Sequence, residues 1–331
     1  GAVMEAHHTF SFEMPKVAFF LPENQQRVGE WHFGSIGLDA ARLSEMETPY
    51  HFVDAEMARN LLKSRRRFDH KGVFGHALIS AGSYGKAGAA VLAVRACLRS
   101  GVGLATIHTP RCAYSILQTA APEAMALTDE HEYCVSEMPD LSPFSAIGAG
   151  CGWGQDELTA KALHQLLEQA TQPVVLDADA LNLLAKHPEW MKRLPENCVL
   201  TPHPKEFERM FGPSGNGFER LELLQKKAVE LGLVIVLKGA FTCVASPEGS
   251  CFFNTTGNPG MATGGSGDVL TGIITGLLAQ RYSALDAAIL GVYLHGLAGD
   301  LVAAQKGQEA LIAGDLVEML GAAFQQIRHQ G

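Results

Sequence analysis

The sequence predicts an α/β fold with a central, mainly parallel sheet that helices cover on both faces. Two observations support this prediction. From Tyr50 onward, short apolar runs typical of buried strands alternate with longer stretches of helical periodicity. Glycine, carboxylate, imidazole and ammonium groups also follow most of these runs directly, as expected where the carboxyl ends of parallel strands meet.

The predicted elements of this region follow from those runs. Apolar segments typical of strands lie at 77–81, 103–108, 146–148, 174–177, 198–201 and 234–237. Helical periodicity covers 87–99, 158–169, 180–185 and 218–231. Segments 241–245 and 251–253 flank a Pro-Glu-Gly-Ser turn and predict a hairpin at a sheet edge. The glycine loop and its helix come next, followed by predicted helices near 285–304 and 315–328.

The first 48 residues have a different pattern. Segments 9–12, 17–21 and 31–36 read as short strands separated by Pro15, Pro22 and Gly29, with no helix predicted among them. Because such strands need partners, residues 1–48 are predicted to be the tail of an upstream domain, or an arm packed on the second one. Residues 44–49 are the predicted linker, and 49–331 the main domain.

Composition is that of an ordinary globular chain with a sizeable core. The 331 residues are 47% hydrophobic and 18% charged, and the net charge of −9 argues against broad nucleic-acid or membrane-surface binding. The one basic run, 63–67, reads as a solvated helix end. Seven scattered cysteines without a C-x-x-C pair predict reduced thiols, a cytoplasmic setting and no zinc site. We identify no secretory leader and no uninterrupted apolar run of membrane-spanning length.

The stretch from Asn258 to Gln280 is the most informative part of the sequence. A glycine loop runs into Asp268 and then into an apolar segment that predicts a helix. Glycines let backbone N–H groups approach a ligand, and the first turn of a helix adds unpaired donors and a positive dipole end, which favours phosphate. A carboxylate repels phosphate, so Asp268 is interpreted as a proton acceptor beside it. The alternative is that Asp268 only caps the helix.

Other groups are predicted to meet this loop at one sheet edge. They follow the strands at 82–88, 148–152, 177–179, 201–204 and 238–240. Neither G-x-x-x-x-G-K-[ST] nor a clean G-x-G-x-x-G after a strand occurs, so the P-loop and the common dinucleotide fold are disfavoured. A nucleotide would be held in another way.

With these features the chain resembles the ribokinase-like superfamily, and more closely the ADP- or ATP-dependent NAD(P)H-hydrate dehydratases. The matching stretches are 70–76, 82–89, 176–181, 200–207, 236–240 and 258–270. The resemblance implies a three-layer α/β/α fold. The first 45 residues resemble the end of an NAD(P)H-hydrate epimerase domain. The rest of that domain is not in the sequence, and no epimerase activity is expected of this chain.

The resemblance also implies a repair reaction, in which (6S)-NADHX or NADPHX returns to NADH or NADPH. Phosphoryl transfer from a nucleotide to the ring hydroxyl precedes loss of phosphate, and ADP is favoured over ATP as the donor. Asp268 would take the hydroxyl proton. The implied substrate-binding residues are Ala89, Gly150, His203 and Asp268. The implied nucleotide-binding residues are Lys238, Gly239, Ala240, Phe241, Thr242, Gly265, Ser266 and Gly267.

The resemblance further implies Mg²⁺, which would bridge the phosphates mostly through water, and a homo-oligomer. Asp177 and Asp179 are candidates to orient the ion, but the metal ligands themselves stay unassigned. Each role has a structural alternative: His203 would hydrogen-bond a turn, Lys238 would extend from a strand end to solvent, and Asp177 and Asp179 would cap a helix.

Two other functions remain open at this point. A vitamin or sugar kinase of the same superfamily would use Asp268 to activate a substrate hydroxyl and release the phosphorylated product. A nucleotide-binding sensor would bind without chemistry, although a pure binder does not need a carboxylate that faces phosphate. Fold alone does not decide between them.

Overall fold

The computed structural model describes residues 3–329, so the outermost residues of both predicted domains lie outside the described residues. In the N-terminal segment, β1 (His8–Phe12) pairs in parallel with β2 (Glu30–Gly34). Between them lie two 3₁₀ turns (Val17–Phe20 and Pro22–Asn24) and α1 (Gln25–Val28), and α2 (Ala40–Ser44) follows. The segment from 45 to 49 has no helix or strand, while Ser44, the first residue of the predicted linker, is the last residue of α2.

Two predictions for this segment were wrong. The segment 17–21 is a 3₁₀ turn and not a strand, and α1 and α2 are helices where none was predicted. Residues three apart in a 3₁₀ turn point the same way, which lets Val17 and Phe20 both pack on the main domain. A strand would have placed them on opposite faces.

The main domain contains a ten-stranded sheet in the order β3-β12-β11-β10-β9-β8-β7-β4-β5-β6. All neighbours are parallel except β10 with β11 and β11 with β12. The strands are β3 (Tyr50–Val53), β4 (His76–Ser80), β5 (Leu104–Thr109), β6 (Met125–Thr128), β7 (Ala146–Ala149), β8 (Val174–Leu176), β9 (Val199–Leu200), β10 (Val234–Leu237), β11 (Cys243–Ala245) and β12 (Cys251–Asn254).

Ten helices of the described chain accompany the sheet. They are α3 (Ala55–Leu61), α4 (Ala87–Arg99), α5 (Tyr114–Ala120), α6 (Glu157–Gln169), α7 (Asp179–Lys186), α8 (Pro204–Phe211), α9 (Gly217–Leu231), α10 (Ser266–Ala279), α11 (Ala284–Lys306) and α12 (Ala313–His329). Every strand and helix predicted for the main domain is present, with ends shifted by at most three residues. The sequence analysis missed β3, β6, α3, α5 and α8.

The predicted hairpin is β11 with β12, but it does not form the sheet edge. β3 pairs in parallel outside β12, with Tyr50 opposite Cys251, so β3 is the edge strand. The imidazole of His51 stacks on the ring of Phe252, with the ring centroids 4.7 Å apart. A four-residue strand beside the linker carries too little periodicity to be recognised from sequence, and this cross-strand contact holds it in place.

Two apolar layers confirm the α/β/α architecture. One lies between the sheet and α4, α10, α11 and α12, and the other between the sheet and α6, α7, α8 and α9. Alternate residues of the central strands serve the two layers. In β4, Ala77 and Ile79 face the first layer and Leu78 faces the second.

Glycines determine how closely α10 approaches α4. A Cβ on Gly272 would lie 2.1 Å from the carbonyl oxygen of Ala93, and one on Gly276 would lie 2.9 Å from that of Cys97. Only glycine permits this backbone contact. The first turns of both helices therefore lie at the same end of the sheet, near the carboxyl ends of its strands.

By length and composition alone, α11 is the one helix in the described part of the chain that could cross a membrane. Of its most apolar window, 72% is buried inside the fold, where it packs in the layer shared with α10 and α12. That burial is typical of a core helix.

The N-terminal segment packs on the main domain through aromatic rings. Phe20 is 9% exposed, and its ring lies 4.7 Å from that of Phe253 and 5.1 Å from that of Phe241. Trp31 lies 6.2 Å from Phe52 in the same cluster. These contacts attach the N-terminal segment to the main domain.

Candidate active site

The candidate site lies where β8, β10 and the first turn of α10 meet. Asp177 directly follows β8, and Lys238 directly follows β10. A Cβ on Gly267 would lie 3.4 Å from Nζ of Lys238 and 3.5 Å from Oδ2 of Asp177. The structure thus brings the glycine loop and these two charged groups together, as the positions of the strand ends predict.

Asp268 is the third residue of α10, and the residue before the helix is Gly265, in the left-handed conformation with φ of 93°. Gly265, and not Asp268, is therefore the N-cap residue of α10. Burial raises the pKa of the Asp268 carboxyl to about 6, and the Asp177 charge acts in the same direction, while Cys151 and Lys238 oppose them. A carboxylate with a pKa near the working pH can accept and later release a proton.

A largely buried ion pair lies beside the glycine loop. Nζ of Lys238 donates to Oδ1 of Asp177 at 2.6 Å, and Oγ1 of Thr271 donates to Oδ2 at 2.9 Å. Burial alone would lower the pKa of Lys238, but the Asp177 and Glu206 carboxylates raise it above its ordinary value. Lys238 is therefore charged at neutral pH, and the alternative of a side chain reaching into solvent does not describe it.

His203 is the N-cap of α8. Its Nδ1 accepts hydrogen bonds from the backbone N–H groups of Lys205 and Glu206 at 3.1 and 3.2 Å. Oε2 of Glu206 accepts from the N–H of His203 at 2.8 Å, which completes a reciprocal capping box. The structural role proposed for His203 is thus present. The ring is also 44% exposed, and its Nε2 lies 3.4 Å from Oε1 of Glu206.

The two small residues implied for substrate contact lie in different surroundings. Ala89 is partly buried in the first turn of α4, and a Cβ on Gly152 would lie 3.0 Å from its methyl group. Gly150 is buried with φ of 113°, and a Cβ there would lie 2.0 Å from the carbonyl oxygen of Asp177. Glycine is thus required at 150 for the close packing of β7 against the turn after β8.

The loop from Lys238 to Thr242 joins β10 to β11. Gly239 and Ala240 are exposed, while Phe241 packs on Phe20. A Cβ on Gly239 or on Gly264 would meet nothing within 4 Å, so open space adjoins both glycines. In the first turn of α10, Oγ of Ser266 hydrogen-bonds Nε2 of His295 at 3.2 Å. Burial lowers the pKa of His295 to about 4, so this imidazole is neutral.

The carboxylate of Asp179 is held by protein groups. Its oxygens accept from the backbone N–H of Gly154 at 2.8 Å and from Nε2 of Gln155 at 3.0 Å, and Nζ of Lys86 lies 3.4 Å away. Burial alone would raise the pKa of Asp179, but these hydrogen bonds and the Lys86 charge lower it below its usual value. Asp179 therefore fixes the loop after β7 and does not cap α7.

One largely buried group of potential metal ligands in the described chain consists of Cys151, Asp177 and Asp268. The ligand atoms of these residues lie within 4.8 Å of one another. Burial raises the pKa of the Cys151 thiol well above its usual value, so it stays protonated. Asp177 already pairs with Lys238. Mg²⁺ prefers oxygen ligands and readily binds through substrate phosphates, so this group does not provide a dedicated Mg²⁺ cage.

Sequence reasoning missed Cys151, Glu206, Thr271 and His295. Cys151 was identified only as part of a glycine-rich turn, yet its sulfur lies within 4.8 Å of a carboxylate oxygen of Asp268, and its thiol lowers the pKa of that carboxyl. Glu206 lies three residues after His203, and that spacing is the signal of a capping box. Thr271 and His295 lie inside apolar helices, where the sequence gives no sign of which helix face meets the site.

Comparison with known proteins gives consistent matches. The profile of the NAD(P)H-hydrate dehydratase family matches residues 77–321. The "Bifunctional NAD(P)H-hydrate repair enzyme Nnr" of Escherichia coli is 40% identical over 97% of this chain and 61% of its own length. The "ADP-dependent (S)-NAD(P)H-hydrate dehydratase" of Bacillus subtilis is 37% identical over 81% of this chain and 96% of its own length. This chain thus spans less than two thirds of the bifunctional relative.

Solved structures agree on the fold. The ADP/ATP-dependent NAD(P)H-hydrate dehydratase from Bacillus subtilis, co-crystallized with ATP/Mg²⁺, matches 84% of this chain and 98% of its own, with a TM-score of 0.72 and 34% identity. A ribokinase-like superfamily protein from Enterococcus faecalis matches 85% of this chain and 98% of its own, with a TM-score of 0.74 and 28% identity. The predicted ribokinase-like fold is confirmed.

Proposed function

The chain belongs to the NAD(P)H-hydrate dehydratase family, and on that premise we propose that it dehydrates (6S)-NADHX and NADPHX to NADH and NADPH at the expense of ADP or ATP. The observation that carries this proposal is the position of Asp268. It is a partly buried carboxylate with a pKa raised to about 6, in the first turn of a helix whose N-terminus faces a glycine loop.

The residues at this end of the sheet suit a nucleotide phosphate. The first turn of α10 supplies unpaired N–H groups and a positive dipole end, and Lys238 supplies a full charge beside Gly267. Open space at Gly239 and Gly264 lets a ligand approach the backbone. Mg²⁺ would be held by the phosphates of the nucleotide, since the protein carboxylates nearby already have partners.

The nucleotide supplies the phosphoryl group that converts the ring hydroxyl of the substrate into a good leaving group. In this proposal Asp268 accepts the hydroxyl proton. The N–H groups of Gly265, Ser266 and Gly267 stabilise charge on the transferring phosphoryl group, and Lys238 neutralises the phosphates. Asp177 orients Lys238, because their 2.6 Å ion pair fixes the position of Nζ.

The remaining implied contacts divide into two kinds. The partly exposed ring of His203 and the first turn of α4 at Ala89 would contact the hydrated dinucleotide. Gly150 would act indirectly, by allowing β7 to pack against the turn that carries Asp177. Gly239 to Thr242 would contact the adenine nucleotide through the exposed loop after β10.

We further propose that residues 1–48 are the last part of an NAD(P)H-hydrate epimerase domain and that the dehydratase domain begins at 49. The bifunctional relatives extend beyond this chain, which supports the assignment of residues 1–48 to an epimerase domain. We place the reaction in the cytoplasm, in keeping with the seven unpaired cysteines, and expect a homo-oligomer, which sedimentation would test.

Product analysis tests the reaction class. With substrate, Mg²⁺ and ADP or ATP, a dehydratase releases one inorganic phosphate for each NADH formed. A kinase of the same fold would consume nucleotide and leave a stable phosphorylated product, without NADH. A nucleotide-binding sensor would bind ADP and form neither product. Either of the last two results would overturn the proposal.

A further inference from the structure

A second cavity lies at the opposite end of the sheet from the candidate active site. Its volume is about 330 Å³. The helices α4 and α10 begin at the candidate site, and their last residues, with the end of α12, line this cavity. The loop between α3 and β4, residues 62–74, contributes the remaining wall. We call this space the basal cavity.

The basal cavity is cationic in a chain whose net charge is −9. Four cations line it, Lys63, Arg65, Arg99 and Arg328, against the single carboxylate of Asp69. The same loop carries Arg66, Arg67 and Lys71. The basic run that reads as a solvated helix end in the sequence therefore forms part of a cavity wall.

The hydrogen-bond partners of Lys63 and Arg65 are neutral and do not cancel the charge of these two side chains. Nζ of Lys63 donates to the carbonyl of Arg281 at 2.7 Å, and Arg65 donates to the carbonyl of Gly101 and to Oε1 of Gln280. Such bonds orient a cation but leave its charge in place. The negative dipole ends of the three helices offset part of that charge.

One further carboxylate lies beside the cavity. Glu318 pairs with Arg99 at 3.2 Å and is shared with Arg95. Lys63, Arg65, Arg99 and Arg328 together still exceed Asp69 and Glu318 by two positive charges. An anion entering the cavity would therefore be attracted to it.

Apolar and aromatic side chains form the rest of the wall. The guanidinium of Arg65 lies 4.1 Å from the ring centroid of Phe74, and Nζ of Lys63 lies 4.4 Å from that of Tyr282. Leu277 and Phe324 complete the apolar surface. A cavity with flat apolar walls and cations at its rim suits a planar group that carries a phosphate, and its volume is in the range of small-ligand sites.

We propose that the basal cavity binds a small organic phosphate with a planar ring, at a site separate from the candidate active site. Cations at 63, 65, 99 and 328 attract the phosphate, and the ring of Phe324 packs on the planar group beside the Arg65–Phe74 and Lys63–Tyr282 pairs. Because α4 and α10 extend from one site to the other, an occupant would contact the ends of the two helices that carry Ala89 and Asp268 at their starts.

The test uses phenyl phosphate and inorganic phosphate as probes of the full chain, by calorimetry at low ionic strength. Phenyl phosphate is expected to bind wild type at least tenfold more tightly than inorganic phosphate does. The double variant Arg99→Gln with Arg328→Gln is expected to lose at least tenfold in affinity. Lys226→Gln, an exposed substitution on α9, is the matched control and should not change it.

A second variant separates the two sites. Lys238→Ala changes the candidate active site and should leave the affinity for phenyl phosphate unchanged. Hydrogen exchange should show probe-dependent protection of 62–74 and 324–328, which keeps the test valid if a variant folds poorly. The proposal is overturned by absence of binding, or by loss of binding in Lys238→Ala alone. It is also overturned by concentration-dependent protection of 62–74 without a probe, which would mean that a second copy of the chain covers the cavity.

Discussion

At the scale of single residues, the raised pKa of Asp268 suits it to accept a proton and also lowers the free energy of unfolding. Its pKa of about 6 in the folded chain lies above the ordinary 3.8 of an unfolded one. Between these two values the folded chain keeps a proton that the unfolded chain has released. The free energy of unfolding therefore falls as pH rises from about 4 to 6, and stays reduced above that range.

Replacement of Asp268 by Asn should separate these effects. We expect turnover to fall by about 10²–10⁴-fold, because the proton acceptor is lost, while ADP still binds. At pH 7.5 the variant should gain about 1–3 kcal/mol in unfolding free energy, and this gain should vanish near pH 4. Urea unfolding at both pH values measures it. Wild-type turnover in this variant would refute the proton-acceptor role.

The thiol of Cys151 is expected to tune Asp268. Its sulfur lies within 4.8 Å of a carboxylate oxygen of Asp268, and the thiol lowers the pKa of that carboxyl against the dominant effect of burial. Cys151→Ala should shift the acidic limb of the kcat profile, expected near pH 6 in wild type, to higher pH. Cys151→Ser keeps a donor and should restore the limb. Cys198→Ala, at a buried cysteine in the other apolar layer, is the control and should leave the profile unchanged.

Much of this site could be predicted from sequence, because glycine loops and strand ends are local features. Asp268, Lys238 and Gly267 were assigned from such features, and they lie together. The Lys238–Asp177 ion pair could not be predicted, since it joins residues of two strands whose spacing only the sheet order fixes. The capping role of His203 was the weaker alternative in the sequence, although Glu206 at the third position after it already signals that role.

At the scale of elements, the contact between α4 and α10 positions the site. Gly272 and Gly276 let the two backbones touch, so the first turns of both helices lie at the same end of the sheet. The sequence indicates an apolar helix rich in small residues, but its partner helix becomes evident only in the structure. Short strands such as β3 and β6 could not be predicted from the sequence, because pairing with neighbouring strands specifies them and periodicity does not.

Gly272→Ala tests this contact. The added methyl group would lie 2.1 Å from the Ala93 carbonyl oxygen, so we expect a loss of about 1–3 kcal/mol in unfolding free energy and a lower kcat. Gly321→Ala in α12 is the matched control. A Cβ there meets nothing within 4 Å, so the change should stabilise the protein by up to about 1 kcal/mol and leave kcat alone. Equal effects of the two substitutions would contradict this account of the packing.

At the scale of the whole molecule, the N-terminal segment supports the loop after β10. Phe20 packs between Phe253 of the sheet and Phe241 of the loop after β10. Phe20→Ala should therefore cost about 3–5 kcal/mol and weaken ADP binding several-fold. Phe10→Ala, at a residue 61% exposed on the same segment, should stay within about 0.5 kcal/mol. Thermal unfolding would measure the stability of the two variants, and calorimetry their affinity for ADP. Equal results for Phe20→Ala and Phe10→Ala would contradict the role of the Phe20 contact.

The central claim is the nucleotide-dependent dehydration, and one absorbance measurement tests it most directly. Purified chain is mixed with Mg²⁺ and (6S)-NADHX, and the reduced-nicotinamide band is followed with ADP, with ATP and without nucleotide. The account predicts that the band grows only when a nucleotide is present, with ADP the preferred donor. No growth with either nucleotide, on folded protein that binds ADP, would contradict it.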